Sequence, residues 1–239
     1  MKQERLDKAL AAQGTWSRRD VKALVSRGAV LVNGTVARRP EQKVDMDADQ
    51  VTVEGRTVAL RRHIYLLLNK PAGVVSATRD PRERTVVDLV PPGLRRKGLF
   101  PAGRLDKDTT GMMLLTDDGE FAHRILSPRN HVPKTYLARL DKPVTPEMAE
   151  AFGAGIPLKD GDCLPARLER VEENLARVTI CEGMYHQIKR MFGVCGAKVL
   201  SLRRISMGGL GLDETLPEGS CRELLPEELA KINESKSPD

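Results

Sequence analysis

The chain has 239 residues, 40% of them hydrophobic and 30% charged. That allows one sizeable core plus a small extra module and excludes a disordered or fibrous chain. The formal net charge is +6, which favours an anionic partner such as nucleic acid. The N-terminus MKQERLDKAL has no apolar signal core and no apolar run reaches a membrane span, so a cytoplasmic protein with no membrane contact is expected. Cys163, Cys181, Cys195 and Cys221 form no C-x-x-C pair and have no histidine at metal-ligand spacing. They read as reduced thiols.

The charge is uneven. Residues 1–62 hold 13 basic and 8 acidic side chains, and residues 63–239 hold 26 and 25. A small basic docking module therefore precedes a larger, near-neutral domain. Within the module, Leu6, Ala9 and Leu10 recur at helical spacing. Ser17 is placed to cap a second helix with Val21, Leu24 and Val25 on its apolar face, and Gly28 suits its C-terminus. Val30 and Val32 alternate as a strand, and Asn33-Gly34 signals a tight hairpin. Arg18, Arg19, Lys22 and Arg27 ride on or near the second helix. They are either its solvated face or phosphate contacts, and the concentration of charge in the same segment favours contacts. Over 54–63, EGRTVALRRH, the pattern loosens, which places a domain boundary there.

Beyond it, IYLLL (64–68) reads as a buried strand ended by the turn residues NKPAG (69–73). MMLLT (112–116) is a second strand, followed by Asp118-Gly119 and a helix through Phe121, Ala122 and Ile125 toward Pro128. TYLARL (135–140) and ARVTI (176–180) are further strands. Thr145-Pro146 opens a helix through Met148, Ala149 and Phe152, and Ile188, Met191 and Phe192 mark another that stops near Gly196. Strands mixed with separated helices predict an α+β fold: a small α/β module, then a larger domain on a mainly antiparallel mixed sheet with flanking helices. The expected limits are 1–60, 61–232 and a disordered tail at 233–239.

Three segments carry candidate chemistry. Residues 101–125, PAGRLDKDTTGMMLLTDDGEFAHRI, crowd Gly103, Arg104, Asp106, Asp108, Thr109, Thr110 and Gly111 before an apolar strand. A loop of that composition is either a polar connection in which Asp106 and Thr109 satisfy backbone donors, or a site. Residues 181–193, CEGMYHQIKRMFG, lead through a glycine turn into a helix bearing His186, Gln187, Lys189 and Arg190. A cation near a helix N-terminus gains nothing from the helix dipole, so Lys189 and Arg190 need a carboxylate or phosphate partner, unless they are ordinary surface cations. HVPKTYLARL (131–140) puts Tyr136 at a strand start, either as a core or rim tyrosine or as a ligand contact.

Together, GRLDKDTTGMMLLTDDGE, KTYLARL and EGMYHQIKRMF, with NKPAG, resemble in order and spacing the motifs of bacterial ribosomal RNA pseudouridine synthases of the RsuA type. RLDKALAAQGTWSRRDVKALVSRGAVLVNGTVA (5–37) resembles the small RNA-binding domain named after ribosomal protein S4. The resemblance implies that Asp106 is the indispensable aspartate, that Tyr136 stacks on the target base and that Lys189 pairs with the aspartate. It also implies that Arg104 helps hold RNA around a flipped nucleotide. Arg18, Arg19, Lys22, Arg27 and Arg190 join it as expected RNA contacts. The implied reaction detaches uracil from its sugar, rotates it and reattaches it through a ring carbon, so no cofactor or metal is needed. One carboxylate suffices, where a glycosidase normally uses two.

The implied partner is ribosomal RNA, within a pre-ribosomal particle, bound by a monomer. KTY and the SPRNH lead-in (127–131) favour small-subunit RNA. The alternatives are a large-subunit enzyme and a non-catalytic assembly factor with a decayed site, and intact Asp106, Tyr136 and Lys189 argue against the latter. Two positions depart from the family pattern. Met184 stands where a basic residue is usual, and Pro133 where an acidic one is frequent.

Overall fold

The structure, a computed structural model, describes residues 3–130 and 132–233. The expected disordered tail lies outside that range, apart from Asn233. The chain forms two compact units, Met1–Ile64 with Pro91–Leu99, and Tyr65–Val90 with Phe100–Asp239. Among the described residues no helix is long and apolar enough to cross a membrane.

The first unit contains β1 (Gln3–Arg5), α1 (Leu6–Ala12), α2 (Arg18–Ser26), β2 (Val30–Val32), β3 (Thr35–Val36), β4 (Lys43–Asp45), β5 (Val51–Val53) and β6 (Arg56–Val58). Ser17 and Asp20 satisfy each other's backbone N–H groups, a full capping box that fixes where α2 starts. Leu6, Ala9 and Leu10 pack with Val21, Leu24 and Val25 over Val30, Val51 and Val53. Asn33 and Gly34 both take positive φ, 50° and 77°, as a two-residue hairpin turn of matching twist requires. The loosened stretch 54–63 contains β6, which completes a four-stranded sheet of order β3-β2-β5-β6. Its Arg56 and Thr57 are exposed, which hid the strand from an apolar pattern.

The second unit contains β7 (Tyr65–Lys70), β8 (Phe100–Pro101), β9 (Thr110–Thr116), α3 (Gly119–Leu126), β10 (Lys134–Leu140), α4 (Pro146–Ala154), β11 (Pro157–Leu158), β12 (Gly161–Asp162), β13 (Arg167–Glu172), β14 (Leu175–Ile180), α5 (Gln187–Val194), β15 (Val199–Met207), β16 (Leu210–Gly211), β17 (Cys221–Glu223) and α6 (Pro226–Asn233). Its main sheet runs β13-β14-β10-β15-β9-β7-β17, with β16 beside β15 and β8 beside β9. Among the described strands of this sheet, only the β15–β9 pair is parallel. The fold is therefore α+β on a mixed, mainly antiparallel sheet.

β7 and β9 read as continuous apolar runs because they are buried along nearly their whole length. β10 alternates, since one of its faces is more open. Phe121, Ala122 and Ile125 of α3 pack on Leu67, Met112 and Leu114. Gly111 opens β9 at φ 95°, against β15. A Cβ there would run into the Arg204 carbonyl, so glycine is what lets the two strands meet. The polar loop 102–109 hangs from this junction.

Candidate active site

Backbone contacts fix the loop that carries Asp106. Lys70, expected in a turn, instead ends β7, and its side chain is fully buried. Its ammonium donates to the carbonyls of Thr109 at 2.8 Å, Pro71 at 3.0 Å, Asp106 at 3.1 Å and Lys107 at 3.3 Å. Four acceptors around one cation are what make its burial tolerable. Burial pushes the amine down to about 8, with Asp108 and Asp106 acting against the fall. Gly73 N–H donates to Lys107 O, and Ser76 exchanges two hydrogen bonds with the Leu105 backbone. The NKPAG segment is thus the anchor of the Asp106 loop.

The side chain of Asp106 is held from the other direction, by α5. Lys189 Nζ lies 2.9 Å from Asp106 Oδ2 and 2.6 Å from Asp108 Oδ1. Burial alone would lower the Lys189 amine. Its hydrogen bonds to Asp108 and Asp106 outweigh that and hold it above the usual lysine value. The hydrogen bond from Lys189 in turn holds Asp108 below the ordinary carboxylate range. Asp108 is mostly exposed, so the cation sits between a sheltered carboxylate and an open one.

His186 also reaches this group, with Nε2 3.5 Å from Asp106 Oδ1. It takes a left-handed conformation at the head of α5 and stacks on Tyr185 at 3.9 Å. Gln187 fixes that turn by accepting from Met184 N–H and donating to Glu182. Asp106, Arg104, Thr109, Tyr136, Met184 and His186 line one cleft. Tyr136 is 7% exposed, so it forms a wall, while Arg104 is exposed at the rim. The Thr109 hydroxyl is buried with no hydrogen-bond partner among the described residues. Met184, where a basic residue was expected, puts its sulfur 3.9 Å from that of Cys163.

The other expected contacts lie elsewhere. Arg190 is bound to Asp160 and to the Tyr185 carbonyl and does not line the cleft. Arg27 is paired with Glu54. Arg18, Arg19 and Lys22 are exposed on α2. Sequence reasoning did not mark Lys70, His186 or Asp108 as site residues. His186 had a signal, the glycine turn before it, whereas Lys70 had none beyond its place in NKPAG. The four cysteines are unpaired, and among the described residues no cluster of His, Cys, Asp and Glu could hold a metal ion.

Residues 64–193 match the RNA pseudouridylate synthase family, and residues 4–58 match the S4 domain. The chain belongs to the RNA pseudouridylate synthase family. It is 46% identical to an uncharacterized RNA pseudouridine synthase of Bacillus subtilis, over 98% of this chain and all of that protein. It is 41% identical to ribosomal small subunit pseudouridine synthase A of Pseudomonas aeruginosa, over 95% of this chain and all of that protein. With the Escherichia coli protein of the same name the identity is 42%, over 95% and 99% of the two chains. A crystal structure of a pseudouridylate synthase matches 95% of this chain and 99% of its own, at 36% identity and a TM-score of 0.67. The protein is therefore an isomerase, and the cleft at Asp106 is its candidate active site.

Proposed function

We propose that this protein converts one uridine of small-subunit ribosomal RNA to pseudouridine, with Asp106 as the reacting carboxylate. The observation that carries the reading is the Asp106 carboxylate, held 2.9 Å from Lys189 Nζ in a cleft walled by Tyr136. A uridine in folded RNA must leave its stack to react. Tyr136 receives the extruded base by stacking, a contact of about 1–3 kcal/mol. Lys189 aims the carboxylate of Asp106, which serves as nucleophile or base on the bound nucleotide. Arg104, at the rim, steadies the RNA strand. Arg18, Arg19 and Lys22 offer phosphate contacts on the S4 domain, whereas Arg27 and Arg190 must first leave Glu54 and Asp160.

The choice of small-subunit RNA is supported by the names of the Pseudomonas and Escherichia relatives and by the KTY form of the tyrosine segment. The SPRNH lead-in gives less support, since His131 lies outside the described residues. The enzyme acts as a cytoplasmic monomer on a pre-ribosomal particle. Pseudouridine mapping in a deletion strain tests the reading, beside tritium release from ring-labelled RNA by the purified protein. One small-subunit site should disappear, and the protein should release tritium from small-subunit RNA of that strain. Loss of a large-subunit site alone, or no release from either RNA, contradicts it.

A further inference from the structure

The first unit contains a cleft of about 480 Å³ that no part of the catalytic account uses, lined by Lys8, Ala11, Ala12, Trp16, Ser17, Arg18 and Lys97. Its volume lies within the range of sites that enclose small organic groups. Trp16 is the single tryptophan of the chain. It packs against the core of this unit yet stays partly exposed. Arg18 and Lys97 are exposed cations, Lys8 is paired to Glu4 at 2.5 Å, and none of the lining residues is acidic.

The wall that brings Lys97 here is built rather than incidental. Arg96 is 9% exposed and donates to Ala12 O at 2.6 Å, Gln13 Oε1 at 2.8 Å and Arg61 O at 2.6 Å. Between the two helices, Gly14 holds φ 85° and passes so close to Arg95 that a Cβ would strike its carbonyl. The segment Pro91–Leu99 is thereby clamped to the α1–α2 turn. A lysine 81 residues away from Trp16 in sequence becomes part of the same cleft.

We propose that this cleft is a second nucleotide site, which takes one unpaired nucleotide of the substrate RNA, its base against Trp16 and its phosphates toward Arg18 and Lys97. The inference rests on RNA being the substrate. Aromatic faces bind bases irrespective of sequence, and surface cations bind the backbone. A partly covered indole beside cations, in the part of the chain that holds most of its positive excess, combines both features. The site would fix where an unpaired residue of the RNA sits on the S4 domain. A ligand with an acidic or purely apolar character would use only half of the lining.

Because Trp16 is the sole tryptophan, its fluorescence in the full-length wild-type protein reads the site directly. Titration with an in vitro transcript of small-subunit ribosomal RNA should quench the emission to saturation, with a fully paired RNA duplex of equal mass leaving it largely unchanged. Lys97→Gln should lower the salt slope of binding by about one. Trp16→Leu should weaken binding roughly five-fold or more. Should Trp16→Leu fold poorly, the wild-type titration and Lys97→Gln still decide the matter. Emission that is unmoved at saturating RNA, equal quenching by duplex, or an unchanged slope in Lys97→Gln would overturn the proposal. So would quenching by purified small-subunit proteins but not by RNA, which would make the cleft a protein contact. Tritium release measured on the same transcript separates the outcomes. Isomerisation without quenching removes the second site alone, and absence of isomerisation removes the catalytic reading.

Discussion

Lys70 and Lys189 both bear on the segment that carries Asp106, one through the backbone and the other through the side chain. Lys70 is sealed in the interior, and its charge goes to four carbonyls. Lys189 is partly open, and its charge goes to the carboxylates of Asp106 and Asp108. A cation among carbonyls fixes a shape, because carbonyls do not titrate. A cation beside a carboxylate also sets protonation, as Lys189 does in holding Asp108 below the ordinary carboxylate range. Residues of one type thus hold the same loop, one by its backbone and one by its carboxylates, and variants can separate the two contacts.

The largest effect is expected for the carboxylate itself. Asp106→Asn keeps the shape and removes the charge proposed to carry the reaction. Isomerisation should fall more than a hundredfold, at least about 2.7 kcal/mol of barrier, while RNA affinity measured by filter binding changes little. Turnover at a tenth of the normal rate would make Asp106 an assistant to some other group.

Lys70→Met should act on stability. One carbonyl left unsatisfied in the interior costs about 1–3 kcal/mol, and for a chain of this size each kcal/mol lowers the melting temperature by roughly 2–4 °C. Calorimetry should show that loss, with the saturated rate of the folded fraction affected far less than in Asp106→Asn. An unchanged melting temperature would deny the carbonyl cage its role.

Asp108→Asn should have the smallest effect. Asp108 is mostly exposed, and open ion pairs contribute about 0–1 kcal/mol. Single-turnover rates should stay within roughly threefold of wild type, because Lys189 keeps its contact with Asp106. A loss as deep as that of Asp106→Asn would mean that the two carboxylates act as a unit.

Much of this was legible in the chain because local signals agreed with the tertiary outcome. The Ser17 capping box, the Asn33-Gly34 hairpin and the apolar spacings of α3, α4 and α5 each specify their own element. β15 was missed because Arg203 and Arg204 interrupt its pattern. The sheet tolerates Arg204 in the interior by letting its Nε donate to Met112 O at 2.7 Å, a partner 92 residues away. Lys70 was read as a turn residue for the same reason, since three of its four acceptors come from residues 106–109 and no local rule places a lysine inside. The return of Pro91–Leu99 to the first unit is likewise invisible until Arg96 meets the α1 carboxyl end. For the site, residue chemistry marked a polar loop and two cations in want of partners. The pairing of Asp106 with Lys189 came from the family resemblance, and the sharing of Lys189 with Asp108 came from neither.

The pairing itself is tested most directly by single-turnover isomerisation in Lys189→Met, with enzyme in excess and RNA binding titrated alongside. The variant keeps the aliphatic stem and removes the cation from between two carboxylates. Without it Asp106 loses the contact that aims its carboxylate, and Asp108 loses the hydrogen bond that holds it below the ordinary carboxylate range. The saturated rate should therefore fall well below that of wild type. Lys189→Arg should retain more activity than Lys189→Met, because the charge survives. A normal saturated rate in Lys189→Met, with only RNA affinity and its salt slope reduced, would contradict the account and make Lys189 a phosphate contact.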